Sequence, residues 1–182
     1  MAYILILLAF TMFIIYDYNQ IMNNYKFLRP LFFLGALIMV GVTLFVFINA
    51  DTGFSFGYAF TIIFYALAFV SLIMLVYTLF FAIPFEDAYI KGSKQKLCTK
   101  GIYSLCRHPG VLFLSNFYLL LSLGKGSYQL IYLWILVTLC NLVYVTIQDK
   151  YTFPVLFEDY SKYKEKTPFV FPKIKNREET QK

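Results

Sequence analysis

The sequence predicts an all-α polytopic membrane protein with about five transmembrane helices and a cytosolic, helical C-terminal segment. Of its 182 residues, 60% are hydrophobic and only 14% are charged, whereas soluble domains are about 45–50% apolar and about 25% charged. A soluble chain of this length has too little interior to hide so many apolar side chains. The apolar residues also form long runs separated by short polar segments, as membrane spans do.

Five segments are the candidate spans, since a helix that crosses the hydrocarbon core needs about 20 apolar residues. In chain order they are Ala2–Tyr16, Leu31–Ala50, Tyr58–Phe85, Val111–Gly124 and Tyr128–Ile147. The second, third and fifth contain no charged residue, and a central Asp, Lys or Arg would cost about 2.5–3.5 kcal/mol on insertion. The first and fourth are short and must thin the bilayer or lean on a neighbouring helix.

The two short spans need separate justification. Ala2–Tyr16 lacks the basic region and the small-residue cleavage site of a signal peptide, so we expect a retained helix. The fourth span is followed by Gly124-Lys125-Gly126-Ser127, which suits a tight turn because glycine adopts positive φ at low cost. The fourth and fifth spans are therefore predicted to form an antiparallel hairpin.

Basic residues favour alternate loops. Lys26 and Arg29 lie between the first two spans, whereas the next loop has no Lys or Arg. The third loop and the C-terminal tail are again rich in Lys and Arg, and the last hairpin carries Lys125 alone. The positive-inside rule therefore predicts an external N-terminus and a cytosolic C-terminus.

One transmembrane domain is predicted over residues 1–174, with a flexible polar tail over residues 175–182. The formal net charge of +6 is better explained by anionic lipid headgroups than by nucleic acid, because no nucleic-acid-binding motif accompanies it. Cys98, Cys106 and Cys140 form no metal-like cluster in the sequence. Membrane lipids are the expected partners, and neither a metal nor a nucleic acid is expected.

Two stretches near the predicted cytosolic face are too specific in composition to be simple connectors. The first contains the only histidine and reads Leu97-Cys98-Thr99-Lys100-Gly101-Ile102-Tyr103-Ser104-Leu105-Cys106-Arg107-His108-Pro109. The second begins at Asp149 and continues through Phe153 and Phe157. Because these three residues are four apart, we expect them to share one face of a helix that prolongs the fifth span.

These stretches, in this order, resemble the isoprenylcysteine carboxyl methyltransferase and phospholipid methyltransferase superfamily of integral membrane enzymes. Members read Leu-x-Thr-x-Gly-x-Tyr-x-x-x-Arg-His-Pro, then a hydrophobic hairpin, then an acid-rich helix end followed by Phe, two Tyr and a Pro-containing close. The resemblance covers about half of the chain, from Lys96 to Pro172. The matching residues are Leu97, Thr99, Gly101, Tyr103, Arg107, His108 and Pro109, then Asp149, Phe153, Phe157, Tyr160 and Tyr163.

The chain departs from the family pattern at several positions. Val111 stands where an aromatic residue is often found, and Glu158 replaces a glycine. Val145 replaces a substrate-contacting arginine of the isoprenylcysteine enzymes. Gln148 and Asp149 stand where two adjacent glutamates are common. These differences leave the methyl acceptor open among a prenylcysteine carboxylate, a phospholipid amine, a thiol and other groups.

The resemblance implies an S-adenosylmethionine-dependent methyltransferase that acts on a lipid-like or small hydrophobic acceptor at the cytosolic membrane face. It identifies no catalytic residue. Arg107 or His108 would pair with the cofactor carboxylate, Asp149 would accept hydrogen bonds from its amino group or ribose, and Tyr103 would face its sulfonium. The full implied cofactor site is Gln95, Lys96, Leu97, Cys98, Tyr103, Arg107, His108, Pro109 and Asp149.

Two other functions are compatible with the sequence. Val111 and Val145 favour a non-catalytic homologue or a structural membrane protein. An NADPH-dependent membrane reductase of the sterol or steroid type is the other alternative, because those membrane domains have a similar C-terminal layout. Polar residues within the spans, Asn116 and Asn141, would suit such a reductase.

Overall fold

The computed structural model describes residues 2–22, 25–80, 97 and 99–172, and its regular elements in these ranges are all helices. The all-α prediction is therefore confirmed. The helices are α1 (Ala2–Ile21), α2 (Leu31–Asn49), α3 (Tyr58–Phe80), α4 (Pro109–Lys125), α5 (Tyr128–Ile147), α6 (Phe153–Leu156) and α7 (Tyr160–Lys166). Short 3-10 turns cover Lys26–Leu28 and Gly101–Ser104, and a π-helical segment, Gln148–Thr152, joins α5 to α6.

Four helices in the described ranges are long and apolar enough to cross a membrane: α1, α2, α3, and α5 together with its continuation to Leu156. The protein is therefore a polytopic membrane protein. Helix α4, with 17 residues, is shorter and pairs with α5 as the predicted hairpin. Helix α5 has the predicted bounds, and the predicted end of the third span at Phe85 lies outside the described residues.

The predicted end of the first span was wrong. Helix α1 does not stop at Tyr16 but continues to Ile21. The reason is that Asp17 and Asn19, whose polarity suggested a boundary, are buried inside the protein instead of facing lipid. Buried polar side chains can remain within a helix when protein groups satisfy their hydrogen bonds.

The helices pack in the order α2, α1, α5, α4, α3. At the centre, Ile6 and Ala9 of α1 meet Leu133 of α5 in one buried cluster. The outer helices α2 and α3 touch through the rings of Phe47 and Tyr65, which lie 6.2 Å apart. Large apolar side chains cover their outward faces, as expected of surfaces that contact lipid.

The turn of the α4–α5 hairpin also fastens the connection between α2 and α3. Gly126 adopts a left-handed φ of 67°. Its carbonyl accepts hydrogen bonds from the backbone amides of Gly53 at 2.8 Å and Phe54 at 3.0 Å. A Cβ atom at position 126 would collide with the Phe54 carbonyl. The position therefore requires glycine both for its backbone angle and for its close contact.

Gly126→Ala should lower the thermal unfolding temperature in detergent more than Gly57→Ala. Both residues have positive φ, so each alanine carries a conformational cost of about 1–2 kcal/mol. A Cβ atom at Gly57 meets open space, whereas one at Gly126 meets backbone. Equal destabilisation by the two variants would show that the contact with Phe54 contributes nothing.

Candidate functional site

Asp149 organises the polar end of the helix bundle. It lies just after α5 and is only 6% exposed. Arg107 Nε donates to Asp149 Oδ1 at 2.7 Å, and Lys164 Nζ lies 2.6 Å from Oδ2. His108 Nε2 lies 3.3 Å from Oδ1, and the Tyr160 hydroxyl donates to the same oxygen at 2.7 Å. One buried carboxylate thus gathers two cations, an imidazole and a phenol.

The two sequence blocks meet through backbone as well as side-chain contacts. The amides of Arg107 and His108 donate to the carbonyls of Pro168 at 2.9 Å and Phe169 at 3.1 Å. Arg107 Nη1 also donates to the Thr167 carbonyl at 2.7 Å. The Arg-His-Pro block and the C-terminal segment 167–172 are therefore joined by hydrogen bonds, although about sixty residues separate them in the chain.

The continuation of α5 is not the single uninterrupted helix that the spacing of Asp149, Phe153 and Phe157 predicted. The chain is π-helical over Gln148–Thr152, and α6 ends at Leu156. Pro154 lacks an amide hydrogen and cannot make the α-helical bond to residue 150, so the turn widens locally. Phe153 and Phe157 nevertheless remain in contact, with ring centroids 5.3 Å apart.

His108 is held between aromatic rings. Its imidazole stacks on Phe153 at 5.6 Å and meets the edge of Phe169 at 5.0 Å. Burial lowers the pKa of His108, and the hydrogen bond to Asp149 offsets only part of that effect. The ring is therefore neutral at neutral pH, with Nε2–H donating to Asp149 and Nδ1 left as an acceptor.

Tyr160 is neutral as well, but here burial and Asp149 act in the same direction. Burial and the neighbouring Asp149 carboxylate both raise the pKa of its phenol well above the ordinary value. The hydroxyl is therefore a permanent hydrogen-bond donor to Asp149.

The site residues proposed from the sequence fall into three groups. Five of them border a single cavity of about 650 Å³: Leu97, Tyr103, Arg107, His108 and Pro109. Asp149 is not among the residues that line the cavity. Its carboxylate is hydrogen-bonded to Arg107 and His108, which do line it. Gln95, Lys96 and Cys98 lie outside the described residues.

The same cavity extends from this polar end between the membrane-spanning helices. Its other walls are mostly apolar, and include Ala36, Val40 and Leu44 of α2, Leu72 and Leu75 of α3, and Leu114 and Phe117 of α4. A polar, aromatic end and an apolar body thus share one space.

Sequence reasoning missed a second polar group in this cavity. Asp17, Tyr144 and Gln148 all line it. Gln148 Nε2 donates to Asp17 Oδ2 at 2.8 Å and to the Tyr144 hydroxyl at 2.9 Å. The signal was available, because Asp17 is the only charged residue in α1, and an ionisable residue within a membrane helix is a functional-site hypothesis by default.

Two of the residues that differ from the family pattern contribute to packing. Val111 and Val145 are buried and pack with Val170 in a small hydrophobic cluster. The position of Val145, which the resemblance connects with a substrate-contacting arginine, therefore supports the chain's C-terminal close.

The fold and the cavity define an all-α membrane protein with a polar-ended internal pocket. No family model matches the chain, and no solved structure matches it. The cobalt-zinc-cadmium resistance protein CzcN of Cupriavidus metallidurans is 33% identical over 90 residues, which is 47% of this chain. That segment is 40% of the length of CzcN. Among the residues that the structure describes, no group of three or more His, Cys, Asp or Glu could hold a metal ion.

Asp149→Asn should strongly destabilise the protein, because it leaves Arg107 buried without its carboxylate. Breaking one partner of a buried ion pair costs about 3–5 kcal/mol. Asp159→Asn is the matched control, since its pair with Lys162 is exposed, with side chains 69% and 76% accessible. Thermal unfolding in detergent should show a large drop for position 149 and none for position 159. Similar unfolding temperatures for both variants would contradict this role of Asp149.

Proposed function

We propose that the protein is an integral membrane methyltransferase that uses S-adenosylmethionine and acts on a lipid-like or small hydrophobic acceptor. The observation that carries the proposal is the single cavity that joins a polar, aromatic end to an apolar body between membrane helices. A water-soluble cofactor and a membrane-soluble acceptor need such a shared space in order to react. The order of the Arg-His-Pro and Asp149 blocks supports the same function.

The charges at the polar end suit a cofactor that carries a carboxylate. Arg107 and Lys164 are two cations around one acid, Asp149, so the cluster has one positive charge in excess. An anionic group beside Arg107 would balance it. His108 is neutral, so its Nδ1 suits an amino or hydroxyl donor better than a carboxylate. Of the two residues that the sequence suggested for the cofactor carboxylate, Arg107 and His108, Arg107 is therefore the better partner.

Size and aromatic content also fit the cofactor. Ligand pockets are commonly about 300–1,000 Å³, and this cavity measures about 650 Å³. Tyr103, Phe153 and Tyr160 border it, and aromatic faces attract a sulfonium cation and stack on a purine.

For methyl transfer, the main task of the protein is to align the acceptor with the cofactor's methyl group. The cofactor, when bound, supplies an electrophilic methyl group on a positively charged sulfur. The aromatic and apolar walls hold the acceptor in line with that group and exclude water, which is where most of the rate gain of such a displacement can arise. Asp149 acts indirectly, by fixing Arg107, His108 and Tyr160.

The polar end is proposed to face the cytosol, where the cofactor is available. Lys26, Arg29 and Lys100 lie in the connections on the same side as Arg107 by the alternation of the helices, and basic loops are retained in the cytosol. The N-terminus is then external and the C-terminus cytosolic.

Two alternatives fit less well. A reductase would have to hold the several phosphates of NADPH, yet Arg107 is the only Lys or Arg among the described residues that line the cavity. A non-catalytic structural protein would have no use for a cavity of this size. The name of CzcN concerns the metal resistance of that protein, and no group of three or more His, Cys, Asp or Glu among the described residues of this chain could hold a metal ion.

Titration calorimetry on detergent-purified protein should detect S-adenosylmethionine binding and no comparable binding of NADPH. His108→Gln should weaken the cofactor affinity by at least tenfold, about 1.4 kcal/mol, because it removes the Nδ1 acceptor and the stacked ring. Gln129→Ala, at the opposite end of the hairpin, should bind normally. Binding of NADPH alone would favour the reductase, and binding of neither would favour a non-catalytic protein.

Ala36→Trp should block the apolar part of the cavity. Methyl transfer from labelled cofactor into lipid extracts should fall at least about tenfold, as expected when a bulky ring fills a packed acceptor site, whereas cofactor binding should persist. Leu37→Trp is the matched control, because Leu37 is 66% exposed on the outer face of α2. Equal transfer by both variants would exclude this route for the acceptor.

A further inference from the structure

Asp17 is the one charged residue of α1 and borders the cavity while remaining only 8% exposed. A carboxylate in such a place is costly unless a cation or strong hydrogen bonds compensate it. Because Asp17 is buried in a largely apolar helix, its charge does not serve to solvate the protein surface.

The described partners of Asp17 are neutral. Gln148 donates to its Oδ2 at 2.8 Å, and the Tyr144 hydroxyl also interacts with the carboxylate. Within the described ranges, the ion pairs do not include Asp17. Hydrogen bonds thus hold the carboxylate in position, and no cation among the described residues neutralises its charge.

Asp149 gives a direct contrast at the same end of the bundle. It follows Gln148 in the chain, yet it is paired with both Arg107 and Lys164. One acid therefore has more positive charge than it needs, and the other has none from the described residues. The cavity consequently offers a positive position beside Arg107 and a negative position beside Asp17.

The surroundings of Asp17 suit a cation of organic type. Phe13, Phe32 and Tyr144 line the cavity near it, with ring centroids 5.4 Å apart for Phe13 and Phe32 and 5.8 Å for Phe13 and Tyr144. Aromatic faces attract ammonium groups, most strongly where water is excluded. The adjoining walls are aliphatic and suit a hydrocarbon chain.

We propose that the cavity binds an amphiphile with an amine headgroup, its ammonium on the Asp17 carboxylate and its hydrocarbon chain along α2 and α3. A carboxylate-headed amphiphile would be repelled at the same position. As the identity of the methyl acceptor, this inference rests on the proposed function; as a binding site, it can be tested separately.

Where this ligand is the acceptor, the charges balance in a simple way. The ammonium first gives one proton to the Asp17 carboxylate, which exposes the nitrogen lone pair. That pair forms the N–C bond to the methyl group while the C–S bond breaks and leaves its electron pair on sulfur. The product is a methylated ammonium, and the acid later loses its proton to water.

The test compares dodecylamine, dodecanol and dodecanoate as ligands of the full chain in a neutral detergent. Competition against a fluorescent lipid probe should show dodecylamine binding about tenfold more tightly than dodecanol, and dodecanoate more weakly, because a charge-assisted hydrogen bond favours the amine. Nanodiscs with phosphatidylethanolamine or phosphatidylglycerol identify the source. A preference for the former indicates a lipid headgroup, and a response to dodecylamine alone indicates a free amine.

Asp17→Asn should abolish the preference for the amine, whereas Asp51→Asn, which alters an acid at the other end of the bundle, should keep it. Without ligand, Asp17→Asn should unfold at the same or a higher temperature, because it removes a buried charge that no cation of the described residues neutralises. A marked loss of stability, with amine and alcohol binding alike to the wild type, would make Asp17 purely structural and overturn the proposal.

Measurement of S-adenosylmethionine binding by the same proteins distinguishes the amine-site proposal from the methyltransferase proposal. If Asp17→Asn weakens S-adenosylmethionine binding as much as amine binding, Asp17 holds the cofactor's own amino group and the acceptor inference fails. If the wild type binds the amine but not S-adenosylmethionine, the binding site stands and the methyltransferase proposal fails.

Discussion

The buried ion pair between Arg107 and Asp149 is the contact on which the polar end of the molecule depends. Arg107 precedes α4 and Asp149 follows α5, so the pair closes the base of the hairpin. The same carboxylate orients His108 and Tyr160, and the same guanidinium holds the carbonyl of Thr167. Removal of Asp149 would leave the Arg107 guanidinium buried without its carboxylate, which is the costly case for buried ions.

The bundle reverses the arrangement of a soluble protein, because its charged cavity residues lie inside and its apolar side chains face outward. The two charged residues on its walls, Asp17 and Arg107, differ in how they are compensated within the described part of the chain. Low-dielectric surroundings strengthen electrostatic attraction and also raise the cost of an unmatched charge. Ligands that match both positions would therefore gain more here than at an exposed surface.

CzcN shares a segment of 90 residues with the chain at 33% identity, and the matching portion is less than half of either protein. A fold and a pocket can be reused for different ligands. The support for the proposed activity therefore comes from the charges and the shape of the site.

The sequence by itself determined the class of fold, the hairpin and the meeting of the two motifs. Apolar run lengths follow from bilayer thickness, and a short glycine-containing turn forces antiparallel neighbours, so Tyr128–Ile147 and the approach of Asp149 to His108 were both predictable. Only the tertiary structure decided how each charge is compensated, because partners distant in sequence make that choice. Asp17 borders the cavity and accepts a hydrogen bond from Gln148. Asp149 is bonded to four side chains, those of Arg107, His108, Tyr160 and Lys164, and no local pattern encodes these contacts.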